Sequence, residues 1–204
     1  MDPVVADMAD PASAAHIVEH LNSTYGRLDV LVLNVGGPPP GRILDVADEQ
    51  WRAAFELLVL GPLRLARLAL PAMAERGFGR IVFVTSTAVR QPQPDLALSV
   101  VLRSAVTSAA KLLAREFAPH GVTVNCVAPG PTATDRRYEI LAARAGRTGL
   151  SYDEVAAADV ASVPAGRAGE PAEIAAAVSF LASAGASYVN GTVLTVDGGR
   201  TETI

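Results

Sequence analysis

Three polar residues are spaced as a small catalytic or binding group. Ser86 follows the apolar run 81–85, and the carboxyl ends of such strands are where ligands bind in open α/β sheets. Ser99 and Arg103 lie one helical turn apart, so they face the same way. Two hydroxyls and a guanidinium can polarise a carbonyl or hold a carboxylate, because a guanidinium pairs bidentately with carboxylate oxygens. Alternatively, Ser86 caps a loop and Arg103 pairs with an acid such as Asp95.

The composition excludes several classes of function. Of the 204 residues, 50% are hydrophobic and 19% are charged, which is typical of a folded domain. The formal net charge is -4 and the charges are interspersed, so we expect no nucleic-acid partner. The single cysteine and the three scattered histidines predict neither a disulfide framework nor a metal site.

Membrane and export signals are also missing from the sequence pattern. No apolar run reaches the roughly 18 residues of a membrane span. The acidic start of the chain lacks the basic region of a signal peptide. We therefore expect a cytoplasmic protein with no membrane partner.

The elements that must position these residues alternate between apolar strand-like runs and helix-like runs. Such alternation predicts an α/β fold with a mainly parallel sheet of four to five strands and helices on both faces, in a single domain over 1–204. We expect the first strand to pair beside the second through a right-handed crossover. The alternative is that it is disordered and leaves a bare sheet edge that invites pairing with another chain. The predicted strands are 4–6, 28–33, 81–85, 122–127 and 192–196. The predicted helices are 11–25, 49–76 with a kink near Pro62, 98–118 and 171–183, and 132–161 is helical but interrupted by glycines.

Several segments, in this order, resemble the short-chain dehydrogenase/reductase family near its 3-oxoacyl-(acyl-carrier-protein) reductase-like members. They are LNVG at 33–36, GRIVFVTS at 79–86, VTVNCVAPG at 122–130, GRAGEP at 166–171 and the closing 187–199. The resemblance covers essentially the whole chain and implies a Rossmann-like sheet. It also implies that the cofactor-side positions are Asn34, Gly36, Pro129, Gly130, Thr132 and Thr134.

The chain departs from the family pattern in two ways. No glycine-rich turn precedes the first predicted helix, whereas in the family that turn holds the cofactor diphosphate. The resemblance places the family's serine at Ser86, its catalytic tyrosine and lysine at Ser99 and Arg103, and its relay asparagine at Leu58. A serine hydroxyl is too weak an acid to replace a tuned phenol. We therefore expect a truncated, incomplete Rossmann-like domain that uses no cofactor, with the six cofactor-side positions vestigial.

Three hypotheses of function follow. In the first, Ser86, Ser99 and Arg103 act on a small carbonyl or carboxylate metabolite without redox chemistry, by dehydration, isomerisation or cyclisation, or simply bind it. In the second, the protein is an NAD(P)H-dependent ketoreductase of the 3-oxoacyl reductase type whose gene start lies upstream of Met1. In the third, it is a non-catalytic subunit that assembles with a full-length relative. The helices 49–76 and 98–118 are those that pair subunits in the family, so they predict a homodimer or homotetramer.

Overall fold

The computed structural model describes residues 2–203, and its centre is a four-stranded parallel sheet. The strands are β1 (Val30–Leu33), β2 (Gly79–Val84), β3 (Val122–Pro129) and β4 (Val193–Val196), side by side in chain order. Their residues are mostly β-branched and aliphatic, as expected for strands covered on both faces. The predicted α/β fold with a parallel sheet of four to five strands is confirmed, with four strands.

Seven α-helices connect and cover these strands in the described part of the chain. They are α1 (Pro11–Tyr25), α2 (Asp48–Phe55), α3 (Gly61–Glu75), α4 (Ala97–Phe117), α5 (Asp135–Thr148), α6 (Tyr152–Ala161) and α7 (Pro171–Ala182). Buried residues form one cluster that includes Phe83 and Leu102, and a second that includes Val82 and Leu181. Since successive residues of a strand point to opposite faces, Val82 and Phe83 place these two cores on the two sides of the sheet.

The first helix begins and ends at the residues that the sequence indicates. The Asp10 carboxylate accepts a hydrogen bond from the backbone N–H of Ala12 at 3.0 Å, and Pro11 occupies the first turn. Gly26 ends the helix with a φ of 72°, a conformation that glycine adopts without strain.

The strand expected at 4–6 does not form, and its predicted pairing beside β1 is wrong. A turn in which Asp10 N–H bonds to the Asp7 carbonyl leads the chain directly into α1. The Met8 carbonyl lies so close to Gly61 that a side chain there would collide with it. Because the segment is held against the start of α3, Val5 is 97% exposed and does not reach the sheet.

The kink expected near Pro62 takes the form of one π-helical turn, Glu56–Leu60, between α2 and α3. The Gly61 N–H bonds to the Glu56 carbonyl across this wider turn. Proline has no N–H and its ring clashes with the carbonyl four residues earlier, so an unbroken α-helix is unfavourable there. Leu58 lies in this turn and is buried in the main core at 2% exposure, so it contributes packing and no polar contact.

Two helical stretches are long and apolar enough to cross a membrane, Asp48–Glu75 and Ala97–His120. Length and composition are weak grounds for such an assignment, because core helices of soluble proteins pass the same test. Many of their apolar side chains, including Leu70, Met73, Leu102 and Val106, belong to the core cluster against the sheet. Packing against the sheet accounts for the hydrophobicity of these side chains.

Candidate active site at the carboxyl ends of the strands

A cavity of about 930 Å³ lies beyond the carboxyl ends of β1, β2 and β3. This is where parallel α/β sheets bind their ligands, because loops from neighbouring strands converge there. The structure brings all nine sequence-predicted site residues to its wall. They are Asn34, Gly36, Ser86, Ser99, Arg103, Pro129, Gly130, Thr132 and Thr134.

Ser86 lies just beyond β2, half-buried in the cavity wall. Its Oγ accepts a hydrogen bond from the backbone N–H of Ala88 at 3.2 Å, at the start of a short 3-10 turn. The capping interpretation is therefore confirmed. This bond uses only an acceptor lone pair, so the hydroxyl proton is still available to a ligand.

Arg103 spans the ends of two strands from its place on α4. Its Nη1 donates to the Val84 carbonyl at 2.8 Å, and its Nη2 donates to the Gly36 carbonyl at 3.5 Å. Ser99 lies one turn earlier and is half-buried in the same wall. The alternative pairing of Arg103 with Asp95 is wrong.

Asp95 instead binds two arginines of α5. Its carboxylate accepts hydrogen bonds from Arg144 at 3.0 Å and from Arg147 at 2.9 Å. Asp95 belongs to the loop between β2 and α4, so these ion pairs tie that loop to α5.

The loops after β1 and β3 form the rest of the wall. An added Cβ at Gly36 would meet nothing within 4 Å, so this turn leaves open space beside the cavity. Gly130 differs, because a Cβ there would lie 2.6 Å from the Cβ of Asp197. Glycine thus lets the chain after β4 approach the end of β3. The Thr132 hydroxyl donates to the Gly130 carbonyl at 3.0 Å, and the Thr134 hydroxyl donates to the Thr132 carbonyl at 3.4 Å.

The sequence analysis missed a set of charged residues that line the cavity. Four of them lie on α5, one is a buried acid on α6, and one follows β4: Arg136, Arg137, Glu139, Arg144, Asp159 and Arg200. The signal was present in the sequence, because arginines recur at helical spacing along 136–147. The prediction treated that stretch only as an interrupted helical segment, so its charges were not assigned to the site.

Arg103 stays positively charged in the cavity wall although it is largely buried. Burial, together with the like charge of Arg136, lowers the pKa of Arg103 to about 10. That value is still well above neutral pH, so the guanidinium stays protonated. No tyrosine of residues 2–203 lines the cavity, and no group of three or more histidine, cysteine or acidic side chains in that range could hold a metal ion.

The comparisons with known proteins identify the class. The profile of the family described as enoyl-(acyl carrier protein) reductase matches residues 1–201. The 3-oxoacyl-(acyl-carrier-protein) reductase FabG of Salmonella typhimurium is 34% identical over 196 residues, which are 96% of this chain and 76% of FabG. The chain therefore belongs to the short-chain dehydrogenase/reductase family. Within that family it is 3-oxoacyl-(acyl-carrier-protein) reductase-like.

Three further relatives bear on the cofactor. The NADPH-dependent reductase BacG of Bacillus subtilis is 30% identical over 201 residues, covering 98% of this chain and 78% of BacG. The crystal structure of YwfH, an NADPH-dependent reductase involved in bacilysin biosynthesis, matches with a TM-score of 0.92 at 29% identity, covering 98% of this chain and 78% of YwfH. A variant of actinorhodin polyketide ketoreductase with NADPH also has a TM-score of 0.92, at 32% identity, covering 97% of this chain and 77% of that one.

These relatives overturn the expectation that the chain uses no cofactor. Two of them are named as NADPH-dependent reductases, and the third was solved with NADPH. The expectation depended on the missing glycine-rich turn and on the residues at the positions of the family's tyrosine, lysine and asparagine, which are Ser99, Arg103 and Leu58. The relatives point to NAD(P) as the cofactor of such a protein, rather than to none.

Proposed function

We propose that this chain is an NAD(P)H-dependent reductase of the ketoreductase type that reduces the carbonyl group of a small molecule to an alcohol. One observation carries the proposal: nine residues predicted from separate sequence motifs line a single cavity at the carboxyl ends of the strands. The proposal is further supported by membership of an oxidoreductase family with NADPH-dependent relatives.

The chemistry of the cavity wall fits the nicotinamide end of such a cofactor. Thr132 and Thr134 offer hydroxyls, and Gly36 leaves open space where a side chain would intrude. The positive charge of the arginines around the cavity favours a ligand that carries negative charge. The residues that would hold the cofactor are Asn34, Gly36, Pro129, Gly130, Thr132 and Thr134, and the reduced nicotinamide supplies a hydride when it is bound.

In this proposal the chain's own residues orient and polarise the substrate. Ser86 and Ser99 donate hydrogen bonds to the substrate carbonyl oxygen from two sides of the cavity. The Arg103 guanidinium stabilises the negative charge that develops on that oxygen, which is the largest contribution side chains make in such reactions.

The reaction balances with one hydride and one proton. With the cofactor bound, the carbonyl carbon would gain its hydride and the double bond to oxygen would become a single bond. The oxygen, held by hydrogen bonds from Ser86 and Ser99, would take its proton from water. Ketone, NAD(P)H and a proton thus give alcohol and NAD(P)+.

The test is a binding titration with NADPH and NADH, followed by assays of cofactor oxidation with a panel of ketones. We expect saturable binding of one nucleotide, and a loss of kcat of about 100-fold in Ser99→Ala, the typical effect of removing one such hydrogen-bond donor. The matched control is Ser104→Ala, since Ser104 is on the same helix and donates only to the Val100 carbonyl. Absence of nucleotide binding, or equal losses of kcat in both variants, would overturn the proposal.

A cytoplasmic location stays a prediction.

A further inference from the structure

Two arginines reach the same cavity without a buried carboxylate between them. Arg103 donates only to the carbonyls of Val84 and Gly36, and it forms no ion pair with any acid in 2–203. Arg136 donates to the Pro38 carbonyl and to Glu139, whose side chain is 62% exposed. The cavity wall therefore holds two cations whose partners are backbone carbonyls and one solvated acid.

Each of the other arginines that line the cavity has a largely buried carboxylate as a partner, although the arginines outnumber these acids. Asp159 is 7% exposed and is paired with Arg137 at 3.1 Å, Arg200 at 3.5 Å and Arg144 at 4.0 Å. Asp95 provides a second acid for Arg144. Arg103 and Arg136 are therefore the arginines of the cavity wall that lack a buried carboxylate as a partner.

The structure brings these two cations together from different elements. Arg103 comes from α4, whereas Arg136 comes from the first turn of α5 and lies over Gly37, where a Cβ would be only 2.5 Å from its Nε. Their mutual repulsion is strong enough to contribute to the lowered pKa of Arg103. An anion between two such groups removes that repulsion and gains charge-assisted hydrogen bonds.

A buried arginine without an acid is not by itself a ligand site, as Arg80 shows. Arg80 is 3% exposed and donates to the carbonyls of Gly79, Gly121 and Ser183. It does not line the cavity and has no neighbouring cation. Arg103 differs on both counts, and Ser99, which is proposed to hold the substrate carbonyl, lies one helical turn away from it.

We propose that Arg103 and Arg136 bind the carboxylate of the substrate, so that the substrate class is a small 2-oxo acid. This inference rests on the proposed reductase function. A carboxylate held by Arg103 places the adjacent keto carbon next to Ser99 and Ser86. A guanidinium matches the two oxygens of a carboxylate, which a neutral ketone or ester does not offer.

Calorimetric titration of the whole chain tests the inference, with pyruvate and 4-methyl-2-oxopentanoate, their methyl esters, inorganic phosphate and NADPH as probes. We expect at least one acid to bind at least 10-fold more tightly than its ester. Arg136→Gln should weaken the binding of that acid by about 10- to 100-fold, the usual effect of losing a charged hydrogen-bond partner. The Kd for NADPH should stay within about 2-fold. Arg52→Gln is the control, because it removes one positive charge from an exposed ion pair on α2.

Three outcomes would overturn the carboxylate site. The first two are no saturable binding of either acid, and equal affinity for an acid and its ester. The third is that Arg136→Gln weakens the binding of phosphate and NADPH but not the binding of the acid. The last outcome would assign the two arginines to a cofactor phosphate. Arg103→Lys is a second variant, which keeps the positive charge but loses the paired N–H donors of the guanidinium. It should weaken the binding of the acid while NADPH still binds. Failure of NADPH to bind while the acid binds would instead contradict the proposed reductase function.

Discussion

Glu173, in the first turn of α7, is held by three hydrogen bonds. Its carboxylate oxygens accept from the two terminal nitrogens of Arg167 at 2.7 and 2.8 Å, and one also accepts from the Glu170 N–H at 2.7 Å. These contacts, that with Arg167 foremost, lower the pKa of Glu173 to about 2. They also fix the segment after α6 against the start of α7.

A pH dependence follows from this lowered pKa. The contribution of Glu173 to stability is present above its ordinary pKa of 4.5 and is lost as the pH falls toward about 2. Glu173→Gln should therefore flatten the fall of the urea midpoint over that range, although solvent screening keeps the effect small at this exposed site. Glu49→Gln, in an exposed first turn of α2, is the control. Equal acid sensitivity of Glu173→Gln and wild type would refute the prediction.

At the scale of elements, arginine–aspartate ion pairs link α5 and α6, which both contribute residues to the cavity wall. Asp159 of α6 binds Arg137 of α5 and Arg200 of the chain after β4, while Asp95 binds Arg144 and Arg147 of α5. Because Asp159 is buried, loss of its charge leaves arginines without their counterion.

We expect Asp159→Asn to destabilise the protein by about 3 kcal/mol, the usual cost of breaking a buried ion pair from one side. Hydrogen exchange should rise mainly in α5 and α6, because the sheet keeps its own core. Asp153→Asn, exposed on the first turn of α6, is the control. Unchanged exchange in 135–161 after the Asp159 substitution would contradict the role of this network.

At the scale of the whole molecule, the predicted assembly would use the outer faces of α2, α3 and α4. These helices expose large apolar side chains at Phe55, Leu68, Val101 and Leu112. Apolar side chains on neighbouring helices of one molecule are typical of a subunit interface. A homodimer or homotetramer stays a prediction, as do the single-domain organisation of 1–204 and assembly with a full-length relative.

Light scattering tests the assembly directly. We expect a mass of two or four times 21.1 kDa at micromolar concentration. Leu112→Glu should shift that mass toward the monomer, because Leu112 is 68% exposed and a buried charge would oppose association. Leu150→Glu, at an exposed apolar residue between α5 and α6, should leave the mass unchanged. A monomeric wild-type chain would refute the assembly.

The order of the four strands and of the helices between them could be predicted from the sequence alone, and so could the residues that lie at the carboxyl ends of the strands. Apolar runs, Asp10-Pro11 and Gly26 are local signals, and each acts within a few residues of its position. Asn125 in β3 has a structural role, because its amide forms hydrogen bonds of 2.8 and 3.1 Å with the backbone of Val189 and Thr192. Because such local preferences agree with the final fold, they predict the elements without knowledge of the tertiary structure.

Tertiary structure alone decided what the charged side chains do and where the first segment goes. Arg103 meets carbonyls instead of Asp95, and Arg136 joins it from a different helix. Residues 4–6 have a strand-like pattern, but contacts of Met8 with α3 hold them away from the sheet. An ion pair depends on the distance between side chains that are far apart in the chain. The fold sets that distance, so local sequence patterns do not reveal it.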